Sequence, residues 1–154
     1  MEKAQVLIIL GSKSDTEAVS GCGDLLRKFG IPFRQEISSA HRQPARTIEL
    51  VKQSERDGVK IIIAAAGMAA HLPGVIASHT LLPVIGVPLA GSALGGVDSL
   101  LSVVQMPAGI PVATMAVGSH GARNAAVLAV EILALSDPNL KVKLEEYRRE
   151  LSQG

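Results

Sequence analysis

The chain has 154 residues, with 15 Lys plus Arg against 14 Asp plus Glu, one Cys, no Trp, one Tyr and two Phe. A chain of this length buries about 70% of the surface exposed when unfolded, so one domain over residues 1–154 closes a core without disulfides or metals, and the lone Cys22 suits a reducing compartment. A formal charge of +1 leaves no basic face for nucleic acid, and no segment reaches the roughly 20 uninterrupted apolar residues of a membrane span.

Met1 to Gln5 runs directly into an apolar strand without a small-residue cleavage site, so no signal peptide is expected and the cytoplasm is the default location. Strands are predicted over Gln5–Leu10, Pro32–Ile37, Lys60–Ala66, Pro83–Val87 and Val112–Val117, each a short apolar run. The first helix is predicted over Asp15–Phe29, opened by a capping box in which Ser14 accepts and Glu17 reaches back, and closed by Gly30. Gly21 and Gly23 inside it mean either fraying or close approach of another backbone. Pro44 opens a second helix that runs to Asp57 and stops at Gly58. A shorter helix follows over Leu72–Thr80 with Pro73 near its start, and Asp98 or Ser99 caps Leu100–Gln105 ahead of Pro107.

Apolar residues make up 47% of the chain and aromatics only 2%. The apolar mass is therefore Ala, Val, Ile and Leu, and so aliphatic a chain hides surface in an oligomer. Asn124–Ser136 is apolar nearly all round, which predicts burial on the sheet and on a partner. In the tail, 138–154, Leu140, Leu144, Tyr147 and Leu151 lie on one face of an amphipathic helix that packs on its own subunit or on a neighbour. Alternating strands and helices predict an α/β fold: a three-layer αβα sandwich around a parallel, flavodoxin-like sheet of about five strands.

Such sheets bind ligands beyond the carboxyl ends of their strands, so chemistry is sought in the loops that follow them. After the first strand, Gly11-Ser12-Lys13-Ser14-Asp15 combines small hydroxyls with a helix start that favours an anion. Asp15 suits ribose hydroxyls; the same loop is also an ordinary capping turn. After the second strand, Ser39-Ala40-His41-Arg42 sets a planar phosphate fork beside a side chain that titrates near neutrality, or a solvated pair. After the third, Ala66-Gly67-Met68-Ala69-Ala70-His71-Leu72-Pro73-Gly74 is poor in polar side chains. Either its backbone amides and apolar walls serve a small neutral species such as carbon dioxide, or Gly67 and Gly74 pack helix on sheet around a buried His71. Ala90–Asp98 reads as a lid or a plain Gly-rich connection, and His79 and His120 as structural or exposed. No metal-ligating spacing and no hydrolase elbow are present.

These three loop motifs, with Asp98-Ser99-Leu100-Leu101-Ser102-Val103-Val104-Gln105-Met106-Pro107, Pro111-Val112-Ala113-Thr114 and Gly121-Ala122-Arg123-Asn124-Ala125, resemble the bacterial 5-(carboxyamino)imidazole ribonucleotide mutases of purine biosynthesis. The match spans roughly Gln5 to Leu135. It implies an isomerase without metal or cofactor that shifts a carboxylate from the exocyclic nitrogen to carbon 4 of the aminoimidazole ring, through transient carbon dioxide, in a homo-octamer. By motif, His41 is the acid-base residue; Ser14, Ser39 and Arg42 hold the phosphate; Ser12 and Asp15 contact the rest of the ribonucleotide; Gly67, Ala70 and His71 line the base and carboxylate. The related animal-type carboxylases carry Lys in place of Arg42 and lack the Ala-Ala-His-Leu-Pro-Gly run, so the mutase branch is favoured over direct carboxylation. A flavin- or nucleotide-binding module and an assembly scaffold are the other readings. The absence of aromatic side chains in the loops speaks against flavin.

Overall fold

The computed structural model describes residues 3–154. The five strands are β1 Val6–Leu10, β2 Phe33–Ile37, β3 Ile61–Gly67, β4 Val84–Leu89 and β5 Ala113–Thr114. They form one parallel sheet in the order β2-β1-β3-β4-β5. The helices are α1 Thr16–Phe29, α2 Pro44–Asp57, α3 Leu72–Ala77, α4 Val97–Val104, α5 Ser119–Ala134 and α6 Pro138–Gln153. Strand order reverses direction between β1 and β3, which is where an open α/β sheet leaves a crevice at its carboxyl edge.

Alternation along each central strand divides the core between two faces. Val6, Ile8 and Leu10 pack with Leu26 of α1, Val130 of α5 and Leu140 of α6. Leu7 and Ile9 join Val51 of α2, Ile76 of α3 and Val103 of α4 on the other side. Each fully buried aliphatic side chain of this kind contributes about 1.5–3 kcal/mol. The central strands are apolar throughout because helices cover both faces, whereas the edge strand β2 exposes Gln35 and carries Arg34 and Glu36. Arg34 donates to Asp57 at 3.1 Å and to Ser54 at 2.8 Å, tying β2 to the end of α2. Hydrogen bonds from Gln53 and Arg34 hold the Asp57 carboxyl below its ordinary range.

Several boundaries differ from the sequence expectation, each for a local reason. The predicted fifth strand shrinks to two residues. Pro88 accepts from Gly118 at 2.9 Å but has no N–H to return on that edge, so the ladder stops after Thr114. Gly118, at φ 83°, then opens α5 at Ser119, five residues before the predicted start. The capping box also sits earlier: Ser14 N donates to Ser12 Oγ at 3.4 Å and Ser12 N to Asp15 Oδ2 at 3.0 Å, around a single 3-10 turn over Lys13–Asp15. Gly11 still donates to Ala65 O at 3.0 Å as an extension of the sheet, which leaves Ser12 as the first residue free to cap. Helix α4 begins at Val97 behind Gly96, at φ 91°, so Asp98 and Ser99 lie inside its first turn. The buried Ser99 hydroxyl bonds Leu89 O at 2.8 Å and Gly96 O at 2.9 Å. Helix α3 ends at Ala77, which leaves His79 in the exposed turn beyond it. Gly30 and Gly58 close α1 and α2 in left-handed conformations, as predicted.

The two helical glycines make room for side chains rather than for a second backbone. A Cβ on Gly21 would meet Arg123 Nε at 2.9 Å, and one on Gly23 would meet the Phe33 ring at 3.1 Å. Helix α5 finds its second partner within the chain, because α1 and α6 cover the faces that the sheet does not. The partner that its apolar second face was expected to need is supplied by its own chain. An open apolar stripe lies on α4 and the loop before it, where Leu94, Val97, Leu101 and Val104 are 65%, 58%, 55% and 45% exposed at spacings of three and four. The tail helix packs on its own chain: Leu140 is buried, Tyr147 meets Phe29 edge-on at 5.3 Å, and Lys143 donates to Phe29 O at 2.8 Å. No helix among the described residues is long and apolar enough to cross a membrane.

Cys22 sits in the α1 face of the core with no exposed surface, and burial pushes its thiol up to about 12. The thiolate is the reactive form. Thiol reagents at about pH 8 will therefore leave the folded protein unlabelled and modify it fully in denaturant. Rapid labelling of the native chain would contradict this packing.

Candidate active site

Loops from the carboxyl ends of β1, β2, β3 and β4 converge on a cleft of about 510 Å³. It is lined by Gly11, Ser12, Ser14 and Asp15 after β1; by Ser39, Ala40, His41 and Arg42 after β2; by Ala66–Leu72 after β3; and by Gly91 after β4. All nine residues expected at the site line this one cleft: Ser12, Ser14, Asp15, Ser39, His41, Arg42, Gly67, Ala70 and His71. His79 and His120 do not line it.

The first loop presents its hydroxyls as a unit, with Ser12 Oγ and Ser14 Oγ 2.9 Å apart. They stand at the entry to the 3-10 turn and α1, where unpaired N–H groups and the helix dipole favour an anion. Asp15 is fixed by accepting from Ser12 N. Burial raises its carboxyl above the ordinary range, and the bond from Ser12 partly opposes that shift.

The second loop is held from below. Ser38 is buried and shares a 2.8 Å hydrogen bond with Thr47 of α2, while Arg46 donates to Ile37 O at 2.8 Å. Gln43 N closes a turn on Ser39 O at 2.8 Å. Within that turn Ser39 Oγ accepts from Arg42 N at 3.2 Å and from Arg42 Nε at 3.5 Å, so Ser39 orients the guanidinium. Arg42 makes no ion pair among the described residues, which leaves its charge for a ligand.

The third loop is a backbone wall. Met68 is the only described non-glycine residue with positive φ, at 54°, a strained conformation that turns the chain back over the end of β3. Ala70 N closes that turn on Gly67 O at 3.1 Å. A Cβ on Gly67 would lie tightly against Leu89 O at 3.3 Å, and one on Gly74 would press on Met106 Sδ at 3.2 Å. Ala70 is buried, but His71 is exposed rather than enclosed in the core. Its Nδ1 lies 3.1 Å from His41 Nε2, with ring centroids 5.1 Å apart and planes inclined by 44°.

Sequence reasoning read the fourth loop as a lid near the site or a plain connection, without singling out Gly91, and did not foresee the positive φ of Met68 or the contact between His41 and His71. The Gly-rich run after β4 was the only sign of Gly91 at the cleft. Among the described residues no three His, Cys, Asp or Glu side chains gather as a metal-ligating group.

The chain matches the family model described as AIR carboxylase over residues 5–154. It is 54% identical, over 94% of its length and 89% of the relative's, to a Brucella melitensis protein named N5-carboxyaminoimidazole ribonucleotide mutase. A Pyrococcus horikoshii protein of the same name is 51% identical over 99% of this chain and 85% of the relative. The crystal structure of Treponema denticola PurE superposes with a TM-score of 0.88 at 29% identity, covering 96% of this chain and 91% of that one. Matched by the family model over residues 5–154 and about half identical to relatives named as mutases, the chain belongs to the AIR carboxylase family.

Proposed function

We propose that the chain is an isomerase of de novo purine biosynthesis, which converts 5-(carboxyamino)imidazole ribonucleotide to 4-carboxy-5-aminoimidazole ribonucleotide. The observation that carries this reading is a single cleft joining a phosphate-type anchor, an imidazole and an apolar backbone wall, in a chain about half identical to relatives named for that mutase.

Ser14, Ser39 and Arg42, with the helix start, bind the phosphate, while Ser12 and Asp15 engage the ribose. The binding energy is gathered away from the reacting atoms and fixes the ring against the third loop. His41, as imidazolium, gives a proton to the exocyclic nitrogen as the bond from nitrogen to the carboxylate carbon breaks. The bonding pair stays on nitrogen, leaving carbon dioxide and the neutral amine. Carbon 4, an enamine-type nucleophile, then gives its electron pair to carbon dioxide. The ring is left with both hydrogen and carboxylate on that carbon, and neutral His41 removes the hydrogen as a proton. Aromaticity and the imidazolium are both restored, so the reaction is a balanced isomerisation with one acid-base group. Gly67, Ala70 and the backbone around Met68 confine the carbon dioxide, which makes recapture effectively intramolecular.

The same reading places the protein in the cytoplasm as a homo-octamer, with the whole chain one mutase domain and residues 138–154 its C-terminal helix. The open apolar stripe of Leu94, Val97, Leu101 and Val104 supports burial between copies.

Arg42→Ala tests the anchor. KM is expected to rise by about 10- to 100-fold, the loss of a charge-assisted bond of roughly 1.5–3 kcal/mol, with a smaller change in kcat. An unchanged KM would mean that the phosphate lies elsewhere.

A further inference from the structure

We propose that His71 is a positioning residue for His41: its Nδ1 accepts from His41 Nε2–H, which reserves His41 Nδ1 as the nitrogen that gives and takes the substrate proton. This rests on the reading of His41 as the proton carrier and adds to the expectation that His71 only lines the base and carboxylate.

The two rings come from loops 30 residues apart, and their nitrogens meet at 3.1 Å. A hydrogen bond at that distance needs one N–H and one lone pair, so the two rings must hold complementary tautomers. His41 Nδ1 makes no hydrogen bond among the described residues. His71 occupies the cap position of α3, yet its side chain makes no bond to that helix and is directed at His41 instead. Its backbone is fixed by Val75 N donating to His71 O at 3.0 Å, and the loop of His41 is fixed by the turn from Ser39 to Gln43.

The catalytic cycle selects the direction of the bond. If His71 Nδ1–H were the donor, each imidazolium form of His41 would set two N–H groups face to face at 3.1 Å, and the contact would break in every turnover. With His71 accepting, Nε2–H of His41 stays bonded in both the imidazolium and the neutral form. Only Nδ1 gains or loses a proton. The ring then keeps one orientation throughout, the service a carboxylate or carbonyl gives to many functional imidazoles.

The test compares wild type, His71→Phe and His71→Gln for conversion of the carboxyamino substrate, alongside ¹⁵N NMR of the His41 ring, assigned by its disappearance in His41→Asn. The wild-type neutral His41 should be the Nε2–H tautomer. His71→Phe, which removes the acceptor, should lower kcat by about 10- to 100-fold with KM changed less than about threefold. His71→Gln, whose side-chain carbonyl accepts, should recover most of that loss. A wild-type His41 protonated at Nδ1 overturns the proposal. So does a His71→Phe variant that keeps wild-type kcat or changes only KM, which would make His71 a substrate-binding group alone. Wild-type protein that does not convert the substrate defeats the functional reading itself, whereas an active wild type with an unaffected His71→Phe defeats this inference alone. Because His71 is exposed, both variants should melt close to wild type, and the tautomer measurement needs no variant at position 71.

Discussion

Replacing His41 by Asn is expected to reduce kcat on the carboxyamino substrate by about 100- to 10,000-fold, the range for a positioned general acid-base group. Asn still donates and accepts hydrogen bonds at the cleft but moves no proton at neutral pH. In the proposed mechanism both proton transfers, to the exocyclic nitrogen and from carbon 4, pass through this ring, so the loss should fall on kcat. KM should stay within a few-fold because Ser14, Ser39 and Arg42 lie apart from the chemistry and are untouched. The variant should also fold normally, since His41 is exposed and its loop is held by Ser38, Thr47 and Arg46 rather than by the imidazole. Steady-state kinetics with a thermal melt as control decide the matter. Near-normal turnover would remove His41 from the mechanism.

Gly121→Ala should have the largest effect on stability. A Cβ at this position falls 1.6 Å from Ala116 O and 2.7 Å from Ala116 C, and both are backbone atoms that no rotamer change can move. The crowding arises where the chain leaves β5, turns at Gly118 and enters α5, which is buried at Gly121, Ala122 and Ala125. Accommodating a methyl there requires shifting the start of α5 away from the sheet. The expected cost is about 3 kcal/mol or more, seen as a Tm lower by about 10 °C or as loss of soluble protein. A melt within a degree or two of wild type would mean that the junction from β5 to α5 is not packed as described. The His41 and Gly121 changes separate the two roles of this chain: one is expected to silence the site in an intact fold, the other to loosen the fold at a residue that does not line the cleft.

The sheet was legible wherever burial on both faces forces a continuous aliphatic run, as in Val6–Leu10 and Ile61–Ala66. Helices α1 and α2 were legible at their C-terminal ends because Gly30 and Gly58 supply the left-handed conformation a helix stop requires. Elements whose limits depend on a neighbour were less so. The fifth strand is short because of a proline in β4, the strand beside it, and α4 starts early because Gly96 takes a positive φ. The excess of aliphatic residues pointed to an oligomer; α5, the first choice of surface, finds partners in α1 and α6, and an open stripe lies on α4. The residues expected at the site gather at one cleft, since residues after successive parallel strands must emerge at one edge of the sheet. What the order of residues conceals is orientation. The contact from His41 to His71 and the positive φ of Met68 depend on how two separate loops lean over the cleft.

The central claim is that this cleft moves a carboxylate within one ribonucleotide. The most direct test supplies purified protein with the carboxyamino substrate in one reaction, and with aminoimidazole ribonucleotide plus bicarbonate in another, and follows 4-carboxy-5-aminoimidazole ribonucleotide in both. The mutase account predicts rapid product from the carboxyamino substrate and little from the second mixture at the same protein concentration. Product formed efficiently only from aminoimidazole ribonucleotide and bicarbonate would make the protein a direct carboxylase and contradict the account.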